Sequence, residues 1–477
     1  MRIAFIHHHL RPGGVSRVIR EQIRSLEPEN EILVICGEEP DEPPPFPCMI
    51  IPALAYDRDR NDRTSPHEAA LEVMDAARFF WNNDADIFHV HNPTLGKNAD
   101  FVSMLKALQS MKAALLLQIH DFAEDGRPQN YRDEGYPENC HYAVLNSRDY
   151  KILRQCGLRE EGLHLLPNAV RPLQVQKSPK NMSQQNISHE DTVLYPVRAI
   201  RRKNIGEAVL ISLFLPPGKR IGITLEPTGA IDRESYAGWR RFVETHGLAV
   251  SFRLGIGTNF NELLARTSSM VTTSIKEGFG FSFLEPWTAK KMLYGRLLPD
   301  TCSDFINNNI DLTPLYTRLS VHTALFDVDD FQKKWKICYS GKMKQYRLPV
   351  ERKSVERSFN ALFSNDTVDF GCLNEKLQKQ VASSILEKPE NRKNMLDLNP
   401  FLSNIDALSG QRERIEANRL AVERQYSLEK NRERLLHIYS RVIHVAVYHK
   451  IDRSKLLAAF NAPGKSQLLL CEDSFEM

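Results

Sequence analysis

Apolar positions along this chain follow two rhythms, and both rhythms occur in each of two halves. Short runs of β-branched and other apolar residues predict buried strands at 3–6, 31–36, 87–90, 114–119 and 142–145. Between the first two, Val15, Val18, Ile19, Ile23 and Leu26 recur at helical spacing, and 66–81 carries a second apolar helical face. The proline-rich stretch 40–47 reads as a loop. Strands alternating with helices imply a parallel, doubly wound sheet, whose ligands lie outside the carboxyl ends of its strands. From 173 to 192 the chain turns polar and offers nothing to fill a core, so it reads as a linker. The pattern then restarts. Strands are predicted at 193–196, 220–225, 250–254 and 270–274, and helices at 205–213, 233–247, 259–267 and 284–293. Residues 332–404 are charged and helix-rich without a clear period, and no role follows for them. The stretch 411–449 is strongly helical, with Leu428, Leu435, Leu436, Ile438, Tyr439 and Val442 on one packed face. The end, 465–477, is expected to fray.

At 477 residues the chain exceeds one ordinary core, which supports two α/β domains with extensions. A hydrophobic content of 42% and a charged content of 26% match a soluble globular protein. The net charge of +3 gives no case for a nucleic-acid partner. The opening apolar run is too short for a signal peptide, and no later run reaches transmembrane length. Eight scattered cysteines form no C-x-x-C pair, which points to free thiols in a reducing, cytoplasmic setting.

The chemistry concentrates at strand ends. Glu277-Gly278-Phe279-Gly280-Phe281-Ser282-Phe283-Leu284-Glu285 follows one predicted strand and opens a predicted helix. Free backbone amides and a positive helix end there would seat a phosphate or a polar sugar. Arg198-Ala199-Ile200-Arg201-Arg202-Lys203-Asn204 follows the first strand of the second half, and its bland reading is a solvated charge run. His7-His8-His9 leads into the Gly13-Gly14 turn, which lets the backbone approach a ligand closely or simply makes a tight turn. His89 and His91 share one side of a strand, but spacing offers no third metal ligand, so no metal is expected. Asn92, Thr94, Gly96 and Lys97 follow, and Lys97 suits an anionic ligand. His120-Asp121 leaves another strand where such sheets place ligands, although a lone histidine is more often structural. Asp57-Arg58-Asp59 mimics a metal-binding D-x-D but lies in a polar loop and is read as chance.

Four of these motifs, in this order, resemble those of the retaining GT-B glycosyltransferases of family 4, the group 1 type. They are Gly13-Gly14, His120-Asp121, Arg198 with Lys203, and Glu277 with Glu285, and the likeness spans residues 1 to about 290. The resemblance implies two facing Rossmann-like doubly wound domains, an interdomain cleft, and a C-terminal helix returning to the first domain. The implied bounds are an acceptor-binding domain at 1–175, a linker at 176–192, and a nucleotide-sugar domain at 193–440 with a helical insert at 332–404. Residues 441–477 would then pack back on the first domain. It further implies catalytic roles for Glu277, His120, Arg198 and Lys203. Gly13, Gly14, Gly278, Phe279, Gly280, Phe281 and Glu285 would hold the donor, and His91, Asn92, Lys97 and Asp121 the acceptor.

The implied activity is transfer of a hexose, with retention, from a UDP-, GDP- or ADP-sugar to a hydroxyl of a small soluble acceptor, with an anionic one such as a glycerate or sugar phosphate among the candidates. No cofactor is required. After Glu285 the chain departs from the family pattern, with Pro286, Trp287 and two lysines and then Arg296, which would add a phosphate or acceptor contact. A GT-B epimerase or sugar phosphorylase, a non-catalytic sugar-nucleotide binder, and a hydrolase using both glutamates are the alternatives. Arg17, Arg20 and Arg24 share a helix face that would meet anionic lipid or a phosphorylated acceptor, but no large apolar moment accompanies it, so membrane contact is not favoured. Oligomeric state is not legible.

Overall fold

The structure is a computed structural model and describes residues 1–60, 64–173, 192–405, 411–462 and 466–471. Nearly all of the expected polar linker therefore lies outside the described residues. The chain divides into two compact units: Met1–Val170 with Arg424–Ala462, and Arg171–Glu423 with Pro463–Met477.

The first unit is built on seven parallel strands, β1 (Arg2–His7), β2 (Glu31–Cys36), β3 (Cys48–Ile50), β4 (Ile87–His91), β5 (Leu115–Ile119), β6 (His141–Val144) and β7 (Leu163–Leu165). Their order is β3-β2-β1-β4-β5-β6-β7, every pair parallel. Alternation along β1 explains why helices cover both faces. Ala4 and Ile6 join one apolar cluster with residues of helices Pro66–Trp81, Phe101–Ser110 and Ser147–Gln155. Ile3 and Phe5 point the other way, into a cluster with Ile19, Ile23 and Leu26 of helix Gly14–Leu26 and with Leu435, Ile438, Tyr439 and Val442.

Those last four residues move an expected boundary. They belong to helix Leu428–His444, and their burial in the first unit's core places the division at Glu423, not near 440. The long expected helix is also two helices, Arg412–Tyr426 and Leu428–His444, because Ser427 is extended and its hydroxyl caps the amide of Lys430. Of the expected returning tail, residues up to Ala462 belong to the first unit and those from Pro463 on to the second. Beyond Ala462, Leu468–Cys471 is a short helix of the second unit, with Leu468 and Leu469 buried and Trp335 donating to the Ser466 carbonyl at 3.0 Å.

The second unit holds five parallel strands, β8 (Thr192–Arg198), β9 (Arg220–Leu225), β10 (Val250–Ser251), β11 (Ser269–Thr272) and β12 (Met292–Gly295), in the order β10-β9-β8-β11-β12. The order steps outward in both directions from β8 and β11, which puts the switch point between those two strands. The predicted helix 284–293 is cut short. Pro286 opens a single turn, Glu285–Thr288, Lys290 takes a positive φ of 55°, and Leu293 pairs with Met270 as a strand residue. The stretch after β12 is not wholly helical. A three-stranded antiparallel sheet, β13 (Ser320–His322), β14 (Phe363–Ser364) and β15 (Thr367–Asp369), sits among its helices.

Candidate active site

In the second unit the loops leaving β8 and β11 come together. Strand β8 ends at Arg198, whose side chain is exposed and whose Nη1 donates to the Glu226 carbonyl at 3.2 Å. A single turn, Arg201–Lys203, follows and ends on Asn204 at φ 49°. This turn is pinned from below. The hydroxyl of Tyr195, on β8, donates to the Lys203 carbonyl at 2.6 Å and receives the Thr273 amide at 3.2 Å, while Thr273 Oγ1 donates to the Lys203 and Asn204 carbonyls. The Ile275 amide bonds the Arg202 carbonyl at 2.9 Å.

Pinned this way, the turn presents two cations to one carboxylate. Arg202 Nη1 donates to Glu277 Oε2 at 2.5 Å, and Lys203 Nζ donates to Glu277 Oε1. Burial raises the Glu277 carboxyl, but Lys203 and Arg202 outweigh it, with help from Ser274, and hold it at about 2. Two cations thus share this carboxylate, and the charge of Glu285 also acts on Lys203. Arg202 was the residue that sequence reasoning left without a role. It sits inside the basic run, and only the loop geometry separates it from its neighbours.

The glycine segment beyond Glu277 is irregular backbone. Gly278 is exposed, and Gly280 takes φ +96°, where a Cβ would stand 2.9 Å from both Phe283 and Thr301 side chains. Phe279 is buried edge-on against Phe305, with ring centroids 5.6 Å apart, so its ring is taken up by packing. Phe281 packs edge-on against Phe279 in a single turn, and Glu285 opens the next one. The expected seat at a long helix N-terminus is thus reduced to one turn.

Arg296 is not available to a ligand. It is 3% exposed, with its guanidinium on Glu207 at 2.5 and 2.8 Å and on both oxygens of Asp369 at 2.7 Å. The same Glu207 receives Asn204 Nδ2 at 2.8 Å, so this buried cluster anchors the turn that carries Lys203. The phosphate or acceptor contact expected of Arg296 is corrected to an internal tie, because its neighbours on the fold are carboxylates.

In the first unit the ends of β1, β4 and β5 gather histidines. His91 Nδ1 and His120 Nε2 share a hydrogen at 2.9 Å, with rings stacked 5.2 Å apart. Burial pushes His120 down to about 4, partly offset by Asp121, and holds His91 well below its usual value, so both are neutral. His89 and His91 do share a strand face, at 4.5 Å between rings, but His89 is engaged by Tyr439 and Gln118 at 2.9 and 3.0 Å. Asn92, at φ 59°, accepts the Asp121 amide at 3.0 Å, and the Asp121 carboxylate binds Arg127 at 2.7 Å. Lys97 lies with its ammonium 4.7 Å from the centre of the Tyr56 ring.

Gly13 is the extended residue preceding helix Gly14–Leu26, whose first turn has no side-chain cap and no acidic residue. A Cβ on Gly14 would meet nothing within 4 Å, so the fold itself does not require glycine there. Of the D-x-D mimic, Asp57 accepts the Ala99 amide and Asp59 pairs with Arg58 and Arg11, which accounts for both as loop ties. Among the described residues no cluster of His, Cys, Asp and Glu is arranged to hold a metal ion, and no helix is long and apolar enough to cross a membrane.

No family model matches the chain. It is 27% identical over 410 residues to the mannosylglucosyl-3-phosphoglycerate synthase of Petrotoga mobilis, covering 78% of this chain and 79% of that protein. Among solved structures it is similar to Anabaena HepE in complex with UDP and glucose, with a TM-score of 0.55 at 11% identity over 92% of this chain and 99% of that one. It is also similar to sucrose-phosphate synthase from Thermosynechococcus elongatus, with a TM-score of 0.53 at 13% identity over 93% and 99%. The fold of the chain is GT-B.

Proposed function

We propose that this chain, a glycosyltransferase of GT-B fold that uses a nucleotide sugar, transfers a hexose with retention to a hydroxyl of a small, soluble, anionic acceptor. The observation that carries the reading is the Glu277 carboxylate held between Arg202 and Lys203 at the switch point of the second sheet.

Departure of a nucleoside diphosphate builds negative charge on its bridging oxygen as positive charge builds at the anomeric carbon. Lys203 and Arg202, with exposed Arg198, would meet the first charge. Glu277, ionised down to about pH 2, would face the second. In the retaining path the bond from the anomeric carbon to phosphate oxygen breaks and the acceptor oxygen bonds on the same face. The acceptor proton then passes to the departing phosphate. Amides of Gly278, Phe279, Gly280 and Phe281 are assigned to sugar and phosphate oxygens, and Glu285 to the ribose hydroxyls. His120 is assigned to the donor sugar. His91, Asn92 and Asp121 are assigned to the acceptor.

The uncapped helix start at Gly13 and Gly14 supports their assignment to donor phosphate, since free amides and an open glycine surface suit an anion. An anionic acceptor is supported by the relative named a mannosylglucosyl-3-phosphoglycerate synthase. A uridine nucleotide is the first donor to try, because HepE was solved with UDP and with UDP-glucose.

The test is a thermal-shift titration with UDP, GDP and ADP on the wild type and on Arg198→Ala. A ligand at a hundred times its dissociation constant stabilises by about 2.7 kcal/mol, a readable shift. One nucleotide should stabilise the wild type and lose that effect in the variant. No shift with any of the three would count against the donor assignment.

A further inference from the structure

Lys97 is the observation left over from the first unit. Its ammonium is half-buried against the Tyr56 ring, and among the described residues no carboxylate pairs with it. Its cationic neighbours differ in this respect. Arg11 is bound to Glu38 at 2.6 Å, Arg58 to Asp59 at 3.1 Å, and Arg127 to Asp121 at 2.7 Å. A half-buried charge without an ion-pair partner is costly; burial lowers the Lys97 ammonium, Arg127 and Arg58 add to this, and the nearby Asp121 charge offsets part of it. The ring face of Tyr56 repays only part of that cost.

A second unsatisfied group lies on the same ring. His9 Nε2 is 3.2 Å from the Tyr56 hydroxyl, and His9 Nδ1 is buried with no hydrogen-bond partner. Burial holds His9 at about 4, so the ring is neutral at physiological pH. When Tyr56 donates to Nε2, the remaining hydrogen is on Nδ1 and has no acceptor. The loops that carry His9 and Lys97 leave the carboxyl ends of β1 and β4, the edge of a parallel sheet where ligands sit.

We propose that Lys97 and His9, both set against the Tyr56 ring, form the seat for the phosphate monoester of the acceptor substrate. The inference rests on the reading of this chain as a transferase with an anionic acceptor, and it names the residues that select for the anion. Phosphate would supply the missing counter-charge to Lys97 and the missing acceptor to His9, while Arg58 steers it from the exposed rim.

The test uses inorganic phosphate on the full-length protein, with the stabilising nucleoside diphosphate present in excess so that its own site is filled. Calorimetric titration should show phosphate binding at least tenfold weaker in Lys97→Met and within about threefold of wild type in Lys97→Arg. Independently of any variant, phosphate should slow acetylation of Lys97 in the wild type at least fivefold, as read by peptide mass spectrometry. Unchanged phosphate affinity in a folded Lys97→Met, or a Lys97 that phosphate leaves unprotected, overturns the seat. Nucleoside diphosphate binding on the same samples reports the donor reading separately. Nucleotide binding without Lys97 protection sinks only this inference, and Lys97 protection without nucleotide binding sinks only the donor assignment.

Discussion

Arg202 donates to Glu277 at 2.5 Å across 75 residues of sequence, and that bond joins the two loops that leave the central strands of the second sheet. It makes the Glu277 carboxylate a shared counter-ion, with Lys203 on its other oxygen. Removing the carboxylate therefore exposes two buried or half-buried cations to one another as well as deleting a negative charge from the site.

Glu277→Gln should lower kcat with the sugar nucleotide by about a hundredfold or more, the scale of losing one preorganised electrostatic contact to a transition state. Steady-state rates on protein whose melting temperature has been checked would decide it. Wild-type turnover in Glu277→Gln would remove that residue from the chemistry.

Arg296 balances Glu207 and Asp369 in a dry cluster, and Tyr316 adds its hydroxyl to Glu207 at 2.7 Å. Arg296→Met leaves two carboxylates without their cation. The expected loss is about 3–5 kcal/mol of stability, seen as a lower urea midpoint. The double change Glu207→Gln with Arg296→Met should recover part of it, since one of the stranded charges is gone.

Gly295 ends β12 at φ +122°, and a Cβ there would lie 1.9 Å from the Thr272 carbonyl oxygen. That carbonyl receives the Arg296 amide at 2.7 Å, so it cannot easily withdraw. Gly295→Ala should destabilise by about 1–3 kcal/mol or more, measured by chemical denaturation. A stability equal to wild type would mean that β11 and β12 part more readily than their pairing implies.

Stability should fall on acidification between about pH 6.5 and 4. Burial holds His8, His9 and His120 at about 4 and His89 at about 3, whereas the unfolded chain titrates its histidines near 6.5. In that window the unfolded state binds more protons, so stability rises with pH and drops as pH falls. Glu277 acts with the same sign in a lower window. Its contribution is present above the ordinary carboxylate value and is lost only as pH falls through about 2. The urea midpoint should therefore decline from pH 7 to pH 5, and His89→Gln should flatten the decline. A midpoint independent of pH over that range would argue that these histidines are not buried neutral.

The position of each unit's candidate residues was legible because they lie at or beyond strand ends. The strands β1, β4, β5, β8 and β11 all stood out as short apolar runs, so the residues at or beyond their ends could be named: Gly13, His91 and His120 in the first unit, Lys203 and Glu277 in the second. Misreadings came where local pattern and long-range pairing disagree. Leu293 suits a helix that begins at Glu285, yet it is a strand residue because Met270 lies beside it. Leu468 looked like part of a fraying tail, yet it is fully buried. Arg296 looked like another basic group of the site, yet Glu207 and Asp369, far away in sequence, claim it.

By itself, then, the order of apolar runs and turn residues determined that this chain builds two parallel α/β sheets and which side chains emerge from their carboxyl edges, since both depend on short-range periodicity and backbone chemistry. Only the tertiary structure decided which charges neutralise one another. Ion pairs such as Arg202 with Glu277 and Arg296 with Glu207 join residues separated by 75 and 89 positions. Electrostatic energy depends on distance and burial, and neither is written in the spacing of residues along a chain.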